Sequence, residues 1–158
     1  LDEQQVKEQW EAIKAEERLA RDQAHALADV PTALPALPRA QKLQKRAARV
    51  GFDWDGPEGV LDKLDEELAE LRAAIAAGEP AAISEELGDL LFTGVNLARQ
   101  LKVDSEAALR AANAKFEARF SRMEDAVQAE GGRLEDLDAA ALEARWAAAK
   151  AALASTKG

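Results

Sequence analysis

The chain has 158 residues, of which 30 are acidic, 21 are Lys or Arg and one is His, and its formal net charge is −9 at pH 7. The absence of cysteine excludes disulfides, thiol catalysis and Cys-type zinc sites, and a single histidine excludes multi-His metal sites. The acidic balance argues against a nucleic-acid polymer as partner, because phosphate backbones require clustered Lys and Arg. No apolar run reaches the ~18 residues of a membrane span and no signal peptide is recognisable, so we expect a cytoplasmic protein with no membrane partner.

The sequence predicts an all-α protein, because good helix formers dominate and β-branched residues never alternate with polar ones. The prolines within 31–38 cannot lie in a regular helix and predict a linker. We therefore expect an N-terminal helix region over 1–30, a Pro-rich linker over 31–38 and a helical domain over 39–155. The expected helices cover 2–29, about 38–50, 58–77, 80–102, 105–129 and 138–155, so the domain is a bundle of four main helices plus a terminal one.

The negative charge is concentrated in one part of the chain. Between Asp53 and Asp89 there are twelve acidic residues and only two basic ones, Lys63 and Arg72. The plain interpretation of such a stretch is a solvated helix surface.

The spacing of four acids favours a more specific interpretation. Residues three or four apart share one face of a helix, so Glu67 and Glu70 pair on one helix and Glu86 and Asp89 on the next. The second pair belongs to a polar strip with apolar residues on both sides, which is unlike an ordinary solvent face. A short turn at 78–80 makes the two helices antiparallel neighbours, and four facing carboxylates repel one another unless a cation lies between them.

The type of ligand indicates which cation to expect. Oxygen ligands without His or Cys select hard ions, so the predicted cofactor is Mg²⁺, with Mn²⁺ as a possible substitute. A di-iron carboxylate centre is the natural rival in a helix bundle, but it normally uses Glu-x-x-His pairs, and no His is present in these helices.

A basic strip on the 105–129 helix carries Lys115, Arg119 and Arg122. These side chains either pair with acids of another helix or bind an anion, and a metal beside a basic strip is typical of a polyphosphate site. Trp146 on the last helix either packs the terminal helix onto the domain or stacks on a base or ribose.

Several ordered strings resemble one known family. They are the segment 39–54, Glu66-Glu67-Leu-Ala-Glu70, Glu85-Glu86-Leu-Gly-Asp89 and Lys115-Phe116-Glu-Ala-Arg119. Together they resemble the MazG nucleoside triphosphate pyrophosphohydrolases over about residues 37–150. Residues 1–30 resemble the segment that links the two MazG domains of longer members, so we expect the C-terminal domain of such a protein.

The resemblance implies an all-α homodimer with a four-helix core that hydrolyses an NTP or dNTP to the monophosphate and pyrophosphate with Mg²⁺. Carried over by position, it implies these site residues: metal ligands Glu67, Glu70, Glu86 and Asp89; triphosphate contacts Lys63, Lys115 and Arg119; a nucleotide contact Trp146; and Glu66 and Glu85 beside the metal. Our hypothesis is that Glu66 or Glu85 is the general base, because a metal ligand is a poor base. The alternative is a non-catalytic helical module for dimerisation or for regulatory nucleotide binding.

Overall fold

The structure is a computed structural model that describes residues 2–155, except for the side chains of residues 20–24. Within these residues it contains helices and no strand, so the predicted all-α class is confirmed. The helices are α1 (Glu3–Ala24), α2 (Ala36–Arg49), α3 (Pro57–Ala77), α4 (Pro80–Gln100), α5 (Ser105–Ala129) and α6 (Ala139–Ser155), with a short 3-10 helix at Leu134–Asp136. No described helix is both long and apolar enough to cross a membrane.

The chain divides into two compact units. Residues up to Glu106 form the first, and residues from Ala107 onward form the second. The division into 1–30, 31–38 and 39–155 that the sequence suggested stays a prediction.

The N-terminal helix is shorter than predicted. α1 ends at Ala24 rather than near residue 29, and turns follow, in which the Ala28 N–H donates to the His25 carbonyl at 3.1 Å. Beyond these turns Val30 is 5% exposed, and Asp29 forms an ion pair with Arg46 of α2 at 2.6 Å. These tertiary contacts outweigh the helix propensity of residues 25–29.

The second helix begins two residues earlier than predicted, at Ala36 rather than Pro38. Pro38 is tolerated because the first N–H groups of a helix have no acceptor within it, so a missing N–H costs nothing there.

α3 and α4 form a helical hairpin. Gly78 ends α3 in the left-handed conformation, with φ of 68°, and its N–H donates to the Ala74 carbonyl at 3.1 Å. Pro80 then occupies the first turn of α4. Gly78 and Pro80 predict these two helix ends, because glycine favours the end of a helix and proline its first turn. The two helices pack along each other, and α2 packs on α4. Two long helices joined by such a short turn run antiparallel.

The buried face of α3 is not the one that its leucines suggested. Val60, Glu67 and Ala74 recur every seven residues and are 0%, 5% and 8% exposed. The sequence predicts a different apolar stripe on this helix, formed by Leu61, Leu64, Leu68, Leu71 and Ile75. Of these, Leu68 and Ile75 are 40% and 58% exposed. At about 100° per residue the side chains of this stripe span only about 80° of the helix, and Val60, Glu67 and Ala74 lie just beyond one edge of that span. The fold therefore buries the flank of the stripe that contains Glu67.

The polar strip of α4 likewise lies toward the protein interior. Thr93 is buried and Glu86 is half-buried, whereas Leu87 and Leu91 are exposed. The expectation that this strip is no ordinary solvent face is therefore confirmed for Glu86 and Thr93.

Three residues of the second unit are buried, namely Met123 and Val127 of α5 and Ala149 of α6. α5 ends at Ala129, as predicted. Arg145 of α6 forms an ion pair with Glu130, with Nη1 2.8 Å from Oε1.

Candidate functional site

Three carboxylates meet between α3 and α4. Glu67 and Glu70 lie one turn apart on α3, and Glu86 lies on α4. Each offers one carboxylate oxygen, and the three oxygens lie within 4.8 Å of one another. The antiparallel hairpin produces this group, because it places facing turns of the two helices side by side.

Two members of this group have buried oxygens without partners. Oε2 of Glu67 and Oε2 of Glu86 are inaccessible to solvent, and neither has a hydrogen-bond partner among the described residues. Burying an unpaired carboxylate oxygen is unfavourable, whereas a cation would satisfy it. The all-oxygen ligand set therefore fits a hard divalent cation.

The pKa of Glu86 reflects the repulsion among these neighbouring carboxylates. Burial, a hydrogen bond with Glu70 and the charges of Glu70, Asp89 and Glu67 all raise the pKa of Glu86 above its ordinary value. The group therefore holds its proton more tightly than a free glutamate does, unless a positive charge is bound nearby.

Asp89, the fourth predicted ligand, lies next to this group but is not one of the three close carboxylates. Its charge contributes to the raised pKa of Glu86, so it is close enough to act on that side chain. The Thr93 hydroxyl donates to the Asp89 backbone carbonyl at 2.8 Å and leaves the Asp89 carboxylate unengaged by that bond.

Lys63 also adjoins the carboxylates. Its Nζ lies 3.0 Å from Glu67 Oε1 and 3.3 Å from Glu66 Oε2. The hydrogen bonds with Glu67 and then Glu66 raise the pKa of Lys63, so its positive charge is held beside the site. Glu66 and Glu85, the predicted general-base candidates, are both exposed on these helices.

The remaining predicted residues belong to the second unit. Lys115 is exposed and Arg119 half-buried on α5, and no described acid of that unit forms an ion pair with either. The Trp146 ring lies 5.4 Å from the Phe116 ring and is tilted by 43°, so Trp146 packs against α5. Contacts of all three with a nucleotide stay predictions.

Two features of the first unit were not predicted as functional. Gln44 of α2 is 6% exposed, and its Nε2 donates to the Phe92 carbonyl of α4 at 2.9 Å. The available signal was its position on the apolar face of α2, four residues after Ala40. In addition, Arg99 donates from both terminal nitrogens to the Asp53 carboxylate.

Comparison with known proteins agrees with the site. Residues 55–123 match the family model of the MazG nucleotide pyrophosphohydrolase domain. Over 144 residues, 90% of this chain and 55% of the relative, the sequence is 48% identical to the nucleoside triphosphate pyrophosphohydrolase of Escherichia coli strain K12. Over 142 residues, 90% of this chain and 54% of the relative, it is 44% identical to the nucleoside triphosphate pyrophosphohydrolase/pyrophosphatase MazG of Thermotoga maritima.

The chain thus spans about half the length of the curated relatives it matches. The matched stretch contains α3, the turn at Gly78, all of α4 and most of α5, and with them the three close carboxylates. Residues 55–123 of this chain are therefore a MazG nucleotide pyrophosphohydrolase domain.

Proposed function

We propose that this protein is a Mg²⁺-dependent nucleoside triphosphate pyrophosphohydrolase, which converts an NTP or dNTP and water to the monophosphate and pyrophosphate. The observation that carries the proposal is the group of Glu67, Glu70 and Glu86, whose oxygens lie within 4.8 Å of one another inside the matched domain. A cytoplasmic location stays a prediction.

Glu67, Glu70 and Glu86 are the proposed ligands of the divalent cation, with Asp89 as a fourth. A Mg²⁺ or Mn²⁺ ion bound there would supply Lewis-acid activation of a phosphoryl oxygen and of water. The unpartnered Oε2 atoms of Glu67 and Glu86 support this ligand set, because they are already buried and need a positive partner.

The chain's other charged residues would bind and orient the substrate. Lys63 holds its charge beside Glu67, and a triphosphate that takes over this lysine would release Glu67 Oε1 for the cation. Lys115 and Arg119 are proposed to neutralise further phosphate oxygens, since neither forms an ion pair with an acid of the described part of its unit. Trp146, whose ring packs against the Phe116 ring, is proposed to contact the nucleotide.

The proton of the attacking water requires an acceptor. Water attacks the α-phosphorus and pyrophosphate leaves, and Glu66 or Glu85 is proposed to take the proton. Both are exposed and neither belongs to the three close carboxylates, although Glu66 Oε2 also accepts a hydrogen bond from Lys63 Nζ at 3.3 Å. If Glu66→Gln and Glu85→Gln both kept wild-type turnover, this assignment would be wrong.

We also propose that the protein is a homodimer. Apolar side chains of α3 and α4 that a core helix would bury are 40–59% exposed, namely Leu61, Leu68, Ile75, Leu87 and Leu91. A second copy would cover these side chains and complete a four-helix core. Light scattering should show Leu68→Lys as a monomer and the control Val6→Lys, at an exposed position of α1, as a dimer; a wild-type monomer would contradict the proposal.

The experiment that tests the activity is a product analysis. The protein is incubated with Mg²⁺ and each of the eight common NTPs and dNTPs, and products are separated by ion-exchange chromatography. We expect monophosphate and pyrophosphate, and no turnover for Glu70→Gln. Diphosphate and phosphate as products would contradict the reaction, and no product with any nucleotide would favour a non-catalytic or regulatory module.

A further inference from the structure

The first unit contains a cavity of about 800 Å³ beside the carboxylates. Glu67, Asp89 and Lys63 line one part of it, so the cavity continues from the proposed phosphate end of the site. Apolar and aromatic side chains line much of the rest, among them Leu43, Ala47, Phe52, Trp54 and Phe92. A cavity of this size, charged in one part and apolar in another, suits a ligand with a charged tail and a flat, less polar body.

One polar group in the wall of this cavity has unused bonding capacity. Gln44 lines the cavity and is 6% exposed. Its Nε2 donates to the Phe92 carbonyl at 2.9 Å, which fixes the orientation of the amide. Its Oε1 is buried and has no hydrogen-bond partner among the described residues. A buried acceptor without a donor is unfavourable, and a bound ligand with an N–H or O–H group would satisfy it.

The aromatic part of the wall is held in place. Asp53 accepts hydrogen bonds from Arg99 and from Gln100 Nε2, the latter at 2.8 Å. The hydrogen bonds from Arg99 are the main reason why the pKa of Asp53 lies below its ordinary value. The loop of Phe52 and Trp54 is thereby anchored to the end of α4.

Trp54 is also fixed from the other side, by a close approach to α3. A Cβ at Gly59 would lie only 2.9 Å from Trp54 Cε3, so the ring sits on helix backbone that bears no side chain. A cavity whose wall is fixed in advance loses little entropy when a ligand binds, which favours its use as a specificity pocket.

We propose that Gln44 is a substrate-positioning residue, whose Oε1 accepts a hydrogen bond from an N–H or O–H group of the nucleoside while the triphosphate occupies the carboxylate end. This inference rests on the proposed function. It adds that the first unit recognises a hydrogen-bond donor of the nucleoside as well as the triphosphate. A nucleotide that lacks the donor leaves Oε1 unpaired, so it should react about 10- to 100-fold less efficiently.

The test compares pairs of nucleotides that differ in one donor. ATP against dATP tests the 2′-hydroxyl, dATP against its 3′-deoxy analogue tests the 3′-hydroxyl, and ATP against purine riboside triphosphate tests the base amine. UTP against N3-methyl-UTP tests a base imino group. In the wild type, kcat/KM should favour the donor-bearing member of at least one pair.

Two substitutions at Gln44 separate recognition from structure. Gln44→Met keeps the length but removes Oε1, so the preference should collapse toward unity. Gln44→Glu keeps an acceptor oxygen but, like Met, loses the Nε2 bond to Phe92; its preference should persist, because any effect of its charge cancels within a pair. Gln41→Met, on the same helix and outside the cavity lining, is the control that should match the wild type.

Several results would overturn the inference. Equal preferences in the wild type and Gln44→Met, a loss in Gln44→Glu as large as in Gln44→Met, or the same loss in Gln41→Met would each do so. If the wild type hydrolyses no nucleotide, the proposed function fails separately, and calorimetric binding of the same pairs with Mg²⁺ then decides on Gln44. Should Gln44→Met not fold, a wild-type protein without preference within any pair contradicts the inference on its own.

Discussion

The two units use their carboxylates in opposite ways. In the first, Glu86 faces other acids, and burial together with Glu70, Asp89 and Glu67 raises its pKa. In the second, Glu130 faces Arg145, whose hydrogen bond lowers the pKa of that carboxylate. Glu130 has its basic partner within the second unit, whereas in the first unit Lys63 pairs with Glu67 and leaves Oε2 of Glu67 and Oε2 of Glu86 without partners among the described residues. This contrast is what the proposal of a cation site in the first unit predicts.

The largest expected effect is the loss of activity when one of the three close carboxylates of the first unit is neutralised. Glu67→Gln keeps shape and volume but removes the charge of the most buried member. We expect kcat/KM with Mg²⁺ to fall at least about 100-fold, because even partners that only orient metal ligands cost 10- to 100-fold. The matched control is Glu130→Gln in the second unit, which should keep full activity. Equal losses in both variants would remove the functional contrast between the units.

The second effect is stabilisation by the cation. A ligand that binds only the folded state at a hundredfold excess over its Kd adds about 2.7 kcal/mol to the free energy of unfolding. For a chain of this size, that corresponds to a Tm rise of roughly 5–10 °C. Calorimetry with and without Mg²⁺ should show this rise for the wild type and for Glu130→Gln, but not for Glu86→Gln. A rise that survives in Glu86→Gln would place the cation elsewhere.

A smaller effect is expected at the basic strip. Lys115 is exposed and forms no ion pair with the described residues of its unit, so Lys115→Met should leave Tm without Mg²⁺ unchanged. If the lysine contacts the triphosphate, kcat/KM should fall about 10-fold, the loss of one hydrogen bond to a charged group. Lys150→Met, at an exposed position of α6, is the control. An unchanged kcat/KM in Lys115→Met would indicate that the basic strip is ordinary solvent-exposed surface with no role in substrate binding.

The smallest effect is a pair of opposite pH dependences without Mg²⁺. Because the folded-state pKa of Glu86 is raised, its ionisation destabilises the fold as pH rises from the ordinary value of 4.5 through the raised one. Glu86→Gln should therefore have a higher Tm than the wild type at pH 7, and this advantage should vanish below pH 4.5.

Glu130 has the opposite sign. Its folded-state pKa is lowered, so its stabilisation is present above the ordinary value of 4.5 and is lost as pH falls through the lowered one. Glu130→Gln should accordingly have a lower Tm than the wild type at pH 7 and the same Tm in strong acid. If both substitutions moved Tm in the same direction at pH 7, the proposed opposition between the two carboxylates would not hold.

The sequence predicted the elements well because their signals are local. The glycine and proline at 78 and 80 mark the α3–α4 turn, and spacing alone places Glu67 and Glu70 on one face. The inward face of α3 was not predicted, because the fold buries the flank of the leucine stripe that contains Glu67 rather than its centre at Leu68.

What escaped prediction depends on contacts between distant residues. Gln44 meets the Phe92 carbonyl 48 positions away, and Asp53 meets Arg99 46 positions away. A single sequence carries no periodicity that reports such pairs, and the position of Gln44 beside the apolar face of α2 does not reveal which atom it contacts. The carboxylates were predictable because charge clustering is visible along the chain, whereas the cavity wall is assembled only by the fold.

The tight turn at Gly78 has a consequence for how the protein folds. Glu67 and Glu86 are only nineteen positions apart and meet by closure of one helical hairpin, which is a local and therefore rapid event. Their mutual repulsion opposes that closure, so the hairpin should form more slowly in a chelator than in millimolar Mg²⁺. The carboxylates that are proposed to bind the substrate's metal would then also make the refolding rate sensitive to the supply of that ion.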